Sequence, residues 1–157
     1  MKNVGVSRKQ RVSIQRLINF VRLNRRFDEV GALACFIGFV RGYTEAKKRV
    51  KRLELEAYTE RAERAFQAIV DDVKSRPGVV EVLIHHIVGR LEVGDPILLV
   101  IVAGATRRDV FPALVETVDR VKREATIWKK EVLASGKSYW VEYALSLIHI
   151  SEPTRPY

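Results

Sequence analysis

Ile14, Leu17, Ile18 and Val21 fall at i, i+3, i+4 and i+7 behind Ser13. That spacing predicts an amphipathic helix of about three turns with a serine at its N-cap. Residues 31–40, GALACFIGFV, are nearly all apolar, and the run predicts a buried strand. Alternation then takes over. Leu53, Leu55 and Ala57 interleave with Arg52, Glu54 and Glu56, so 51–58 reads as a strand with one wet face. From Thr59 the period lengthens: Ala62, Ala65, Phe66, Ile69, Val70 and Val73 form one helical stripe, stopped by Pro77-Gly78.

Two further strands are predicted around 79–88 and 96–104, joined through Gly89 and Gly94-Asp95-Pro96. Asp109 is placed to cap a third helix, with Val110, Leu114, Val118 and Val121 facing inward. Its first turn tolerates Pro112, because the proline lacks an N–H that would find no partner there. A last strand at about 138–144 closes the domain. The order is α-β-β-α-β-β-α-β, with room for a short extra strand near the N-terminus. It predicts a single α+β domain over residues 1–145, a mostly antiparallel sheet layered with helices. Residues 146–157, SLIHISEPTRPY, break the pattern and read as an adapter- or vector-derived tail, so His149 is set aside and the native C-terminus is expected to be missing.

Composition narrows the class. A chain of 157 residues, 47% hydrophobic and 30% charged, is long enough for one core without disulfides. The single cysteine, Cys35, sits among apolar neighbours and is expected in the core. No Cys/His cluster offers a zinc site, so no metal is expected. No apolar run reaches the ~18 residues that cross a membrane, and no signal peptide is evident; a cytoplasmic location is the default. Net charge is +9. Residues 1–26 carry eight basic side chains and no acidic one, and Lys47, Lys48, Arg49, Lys51 and Arg52 form a second run. Such runs describe either a polyanion, acidic-protein or phosphorylated-ligand site, or simply a solvated surface.

General catalytic motifs are absent: no Walker loop, G-x-G-x-x-G, H-E-x-x-H or nucleophile elbow. Cations beside apolar residues remain. Lys122 and Lys129 are seven apart; if the third helix continues, they share a face about 10.5 Å apart, at ~1.5 Å per residue. Trp128 would shield Lys129 from water and lower its proton affinity. Arg107 and Arg108, just before the helix opening at Asp109, make an anion cradle. Arg41 leaves the buried strand through Gly38, where a ligand has access to the backbone. His85 and His86 lie in a strand and read as structural. Each cation also has a bland reading as surface charge.

At these residues the chain resembles the large, catalytic subunit of molybdopterin synthase, over roughly residues 28–143. Gly31-Ala32 through Gly38-Phe39-Val40-Arg41 resembles that family's G-A-x-x-x-F-x-G-x-V-R strand, and Leu55-Glu56-Ala57-Tyr58 its L-E-x-Y. His86-x-x-Gly89-x-Leu91-x-x-Gly94-Asp95 is similar to its H-x-x-G-x-L-x-x-G-D/E stretch. Lys122-x6-Lys129-Lys130-Glu131, with Ile127-Trp128 inside it, is similar to its K-x5-W-K-K/R-E signature.

The resemblance implies a hammerhead-like sandwich fold and a sulfurtransferase. Its substrate would be cyclic pyranopterin monophosphate, and its partner a ubiquitin-like small subunit whose thiocarboxylated C-terminal glycine donates sulfur. Two transfers build the dithiolene of molybdopterin, with no cofactor. By resemblance Lys129 sits by the thiocarboxylate and Lys122 contacts substrate and moves protons. Arg107 and Arg41 hold phosphate, and Phe39, Val40, Thr106, Lys130 and Glu131 line the site. Lys130 and Glu131 would also orient the lysine helix. The resemblance further implies a homodimer within a heterotetramer, with Arg41 reaching across the dimer interface. Thr106 stands where the family usually has histidine, and a threonine carries no charge. The alternatives are a basic nucleic-acid-binding domain, or an inactive homologue that keeps its partner.

Overall fold

The computed structural model describes residues 2–9 and 12–142. The segment 146–157 and the far end of the last predicted strand lie outside the described residues. The elements run β1 (Val4–Ser7), α1 (Ile14–Arg22), β2 (Ala32–Phe39), β3 (Val50–Ala57), α2 (Thr59–Lys74), β4 (Val79–Ile87), β5 (Gly89–Glu92), β6 (Pro96–Gly104), α3 (Arg107–Glu124), β7 (Ile127–Leu133) and β8 (Ser138–Glu142). The strands form two four-stranded sheets, β1-β4-β6-β2 and β5-β3-β7-β8. Every pairing is antiparallel except β1 with β4. One core cluster draws on both sheets and all three helices, which makes this the expected α+β sandwich.

The predicted helices form for the predicted reasons. Ser13 Oγ accepts the Arg16 N–H at 3.2 Å and caps α1, whose Leu17 and Val21 are fully buried. The stripe on α2 buries Ala62, Phe66, Ile69, Val70 and Val73. β4 is buried along its whole length and β6 from Leu98 onward, as central strands covered on both faces must be.

Four expectations change. β7 and β5 are additional strands. The chain leaves α3 at Ala125, which is extended (φ −89°, ψ 137°), and Thr126-Ile127-Trp128 then supplies β-branched and aromatic residues that favour a pleated strand. α3 begins at Arg107 with Thr106 extended at the N-cap position, three residues before the expected cap Asp109, which lies inside the first turn. Pro112 therefore falls in the second turn, where it leaves the Arg108 carbonyl without its helical donor. Finally, β2 is half-buried. It is the outer strand of its sheet with only β6 beside it, and Cys35 is exposed instead of in the core.

Packing at the start of α3 decides where that helix lies. A Cβ on Gly104 would collide with the Gly78 carbonyl oxygen, and one on Gly31 with that of Ala105. Gly78 itself has φ +82° and lies against the Asp109 carboxylate. The backbone is stitched through the same point: Ala105 N–H donates to Gly78 at 2.8 Å, and Gly31 N–H to Gly104 at 2.9 Å. Gly104→Ala should therefore cost about 1–3 kcal/mol of stability, read from urea unfolding. Gly42→Ala, whose Cβ would meet Val93 at an ordinary 3.6 Å, should change it by less than about 0.5 kcal/mol. Equal effects would show that the close approach at α3 is not tight.

Candidate active site

β7 builds the site, because a strand sends neighbouring side chains to opposite faces. Lys129 pairs with Leu55 of β3 and Val141 of β8; Glu131 pairs with Leu53 and Tyr139. Leu53 and Leu55 are buried, so Lys129 and Glu131 occupy the face of the sheet that carries the core. Burial pushes the Lys129 ammonium below the ordinary lysine range; Glu131 pulls it back up, Arg41 lowers it, and Glu45 raises it. Tyr139 hydrogen-bonds the Glu131 carboxylate, and burial together with that bond holds its phenol up at about 12.

The same alternation removes two expected contributors. Trp128 and Lys130 point to the other face, where they pair across to Glu56 and Glu54. Lys130 Nζ lies 5.8 Å over the Trp140 ring and acts on Glu54. Lys129 is therefore desolvated by its position between β3 and β8, not by Trp128. Lys130 and Glu131 do not orient a lysine helix, because that stretch is a strand.

Lys122 sits in the last turn of α3, exposed, with Nζ 5.9 Å over the Phe36 ring of β2. Gly38 makes room for that ring, which would touch a Cβ there at 3.3 Å. The space beside Gly38 is thus filled by Phe36, and Phe36 carries Lys122. The chain then continues through exposed Phe39 and buried Val40 to Arg41. Val40 N–H donates to Asp95 at 2.9 Å and Val40 O accepts from Gly94, so Val40 fixes the direction in which Arg41 leaves the strand.

Thr106 and Arg107 are elsewhere. Arg107 opens α3, fifteen residues before Lys122, or about 22 Å along the axis at ~1.5 Å per residue. Thr106 Oγ1 donates to Asp109 Oδ2 at 2.9 Å. Within one chain the structure gathers Lys129, Arg41 and Glu131, places Lys122 on Phe36, and leaves Thr106 and Arg107 at the opposite end of α3. The arginine separated from the lysines is Arg107, not Arg41. Phe36, Glu45 and Tyr139 were not singled out from sequence. Phe36 was legible, since it is the phenylalanine of the 31–41 motif; Glu45 and Tyr139 needed the register.

His86 stacks on Phe66 at 6.3 Å, and burial holds its pKa down at about 4, while His85 Nε2 lies 3.0 Å from the Lys2 carbonyl. Both are structural. Among the described residues no three His, Cys, Asp or Glu side chains gather as a metal site, and no helix is long and apolar enough to cross a membrane.

Known proteins share this architecture. The profile of the family described as MoaE protein matches residues 7–124. The molybdopterin synthase catalytic subunit of Pyrococcus abyssi is 38% identical over 115 residues, 73% of this chain and 76% of that one. Its Nostoc counterpart is 41% identical over 112 residues, covering 71% and 67%. The crystal structure of molybdopterin synthase from Staphylococcus aureus superposes with a TM-score of 0.79 at 29% identity, covering 90% of this chain and 98% of that one.

The electrostatic neighbourhood of Lys129 has a sign that titration reads. Following Nζ by NMR of 13C-methylated lysines, its midpoint should lie below the ordinary lysine value of 10.5. Glu131→Gln should lower it further, and Arg41→Gln should raise it. The folded midpoint lies below the unfolded one, so stability should rise as pH climbs through it toward 10.5. An ordinary midpoint unmoved by either substitution would dismantle the site.

Proposed function

Because the chain belongs to the MoaE family of molybdopterin synthase catalytic subunits, we propose that it transfers two sulfurs to cyclic pyranopterin monophosphate, forming the dithiolene of molybdopterin. The donor is the thiocarboxylated C-terminal glycine of a ubiquitin-like small subunit. The observation that carries this reading is the half-buried Lys129, held between β3 and β8 with Arg41 and Glu131 beside it. A partly desolvated ammonium interacts strongly with a thiocarboxylate and with the oxyanion that forms when its acyl carbon is attacked. Glu131 keeps the ammonium charged against the cost of burial, and Tyr139 holds Glu131.

Lys122, exposed over Phe36, is free to approach a substrate and exchange protons as the cyclic phosphate opens. Arg41 offers a planar, bidentate donor for phosphate beside Lys129. Arg107 adds a second only if another copy of the chain presents it, because one helix cannot bring its two ends together. That separation supports a homodimer whose sites each combine Lys122, Lys129 and Arg41 of one chain with Arg107 of the other. Thr106 would stand in that shared site as a hydroxyl, already engaged with Asp109. Lys130 lies on the other face of the sheet from Lys129, over Trp140 and near Glu54.

Single-turnover reaction with the substrate and a thiocarboxylated small subunit tests the assignment. Lys129→Ala should reduce the rate by at least ~10²-fold; absence of product from the unsubstituted chain would refute it. Mixing Lys129→Ala with Arg107→Ala chains should restore activity to about a quarter of the unsubstituted level, because half of randomly paired dimers are mixed and each then holds one intact site of two. No recovery would place both residues in the same chain's site.

A further inference from the structure

Residues 40–49, which lead from β2 to β3, form a stiff finger. Tyr43 and Arg49 make an antiparallel bridge. Thr44 N–H donates to Lys48 O at 2.9 Å, Lys47 N–H returns to Thr44 O at 2.9 Å, and Thr44 Oγ1 accepts the Lys48 N–H at 3.1 Å. Lys47 turns the tip with φ +65°. The Arg49 guanidinium lies 5.3 Å over the Tyr43 ring and donates to its hydroxyl at 2.8 Å.

The finger and the start of β3 carry Arg41, Lys47, Lys48, Arg49, Lys51 and Arg52 against the single carboxylate of Glu45. Three of these cations have work inside the fold: Arg41 acts electrostatically on Lys129, Arg49 is held by Tyr43, and Arg52 pairs with Glu54 at 2.8 Å. Lys47, Lys48 and Lys51 are exposed, and among the described residues no carboxylate pairs with them. Three like charges within five residues repel one another and do nothing for stability. At the base of the finger, the bonds from Val40 to Gly94 and Asp95 bring Val93 beside Gly42. Phe39, Tyr43 and Val93 are there 54%, 51% and 46% exposed.

We infer that this finger is the docking arm for an acidic face of the sulfur-carrying protein, with Phe39, Tyr43 and Val93 as its apolar centre and Lys47, Lys48 and Lys51 as its cationic rim. The inference rests on the function proposed above and adds the element that receives the partner and the chemistry of the surface it receives. An apolar centre inside a charged rim is the anatomy of a protein–protein contact. A single-stranded nucleic acid would need free ring faces for stacking, whereas one face of Tyr43 is covered by Arg49. Location points the same way. Arg41 and Glu45, at the root and side of the finger, both act on Lys129, so a partner docked on the finger lies within reach of that lysine. The rim steers encounter and the apolar centre holds what arrives.

The test compares the unsubstituted chain with Lys47→Glu/Lys48→Glu/Lys51→Glu, measuring association with a thiocarboxylated ubiquitin-like small subunit by stopped flow, and steady-state turnover. All three residues are exposed, so the fold, followed by circular dichroism, stays as it is. At low salt the association rate should fall at least tenfold and KM for the small subunit should rise by a similar factor, with kcat within twofold. The association rate of the unsubstituted chain should fall as NaCl is raised, while that of the variant stays nearly flat; the triple glutamine variant should lie between. Equal association rates and KM values would overturn the docking arm while leaving the enzyme assignment standing. So would a loss seen only toward duplex DNA or heparin. Failure of the unsubstituted chain to bind the small subunit at all would instead overturn the proposed function, and the docking arm with it.

Discussion

The seating of α3 on the first sheet is the constraint from which the site follows. Its first turn reaches the ends of β4 and β6 only because Gly31, Gly78 and Gly104 present no Cβ where carbonyl oxygens and the Asp109 carboxylate pass. Along its length a chain of ion pairs ties it to α2: Arg76 meets Asp72 and Glu116, and Arg120 meets Asp72, Glu116 and Glu124. Isolated exposed pairs contribute little, typically ~0.2–1 kcal/mol each. Arg120 differs because it is mostly covered and serves three carboxylates at once, so each bond orders a side chain that its neighbours already hold. Clamped at one end by backbone contact and along its side by charge, α3 has little freedom in where it stops. It stops at Glu124, and that stop sends the next residues into β7.

That exit from the helix changes the chemistry available to Lys129. On a continued helix, Lys122 and Lys129 would lie on one exposed face, two solvated ammonium groups of ordinary basicity repelling each other. On a strand, Lys129 instead faces inward beside Leu55 and Val141, and its environment penalises the charge while Glu131 restores part of it. Lys122 remains solvated over Phe36. The two lysines are thus chemically distinct despite identical side chains: one is suited to holding a developing negative charge, the other to moving through solvent-accessible space with a proton. Such a division of roles requires two different environments, which the helix-to-strand switch supplies.

How much of this could be read from the sequence differs element by element. α1, α2 and β3 declare themselves through strong periodicity, and in each the residues the pattern selected are buried or half-buried. β7 does not. IWKKEVL has two apolar residues at the start, two at the end and three charges between, so neither a period of 2 nor one of 3.6 stands out; its strand identity comes from pairing with β3 and β8, a long-range fact. The site inherits that blindness. Lys122, Lys129 and Arg41 stand out in the sequence as cations beside apolar residues, and the motif they resemble gives them roles, but the faces they share are not legible there. Trp128 and Lys130 are adjacent to Lys129 in sequence and on the opposite side of the sheet in space. Cys35 failed for a related reason: an apolar run reads as buried, yet whether a strand is central or outermost is a property of the sheet order.

Charge is where the sequence says least by itself and the structure most. A net charge of +9 describes a polyanion binder, a docking surface or an ordinary soluble protein equally well. Environment tells three kinds of cation apart. Arg26, Arg52, Arg76 and Arg120 are matched by carboxylates and belong to the fold. Lys129 is drawn out of water, where burial alters what its charge can do. Lys47, Lys48 and Lys51 are exposed and, among the described residues, no carboxylate pairs with them, so their field extends outward over roughly a Debye length, ~8 Å at physiological salt. The second population suits stabilising a developing negative charge, and the third acts at a distance. The finger connects them, because Arg41 at its root acts on Lys129 while its tip remains in solvent. A negatively charged carrier drawn to the tip therefore meets, along one continuous element, first a long-range attraction, then an apolar contact, and last a desolvated ammonium.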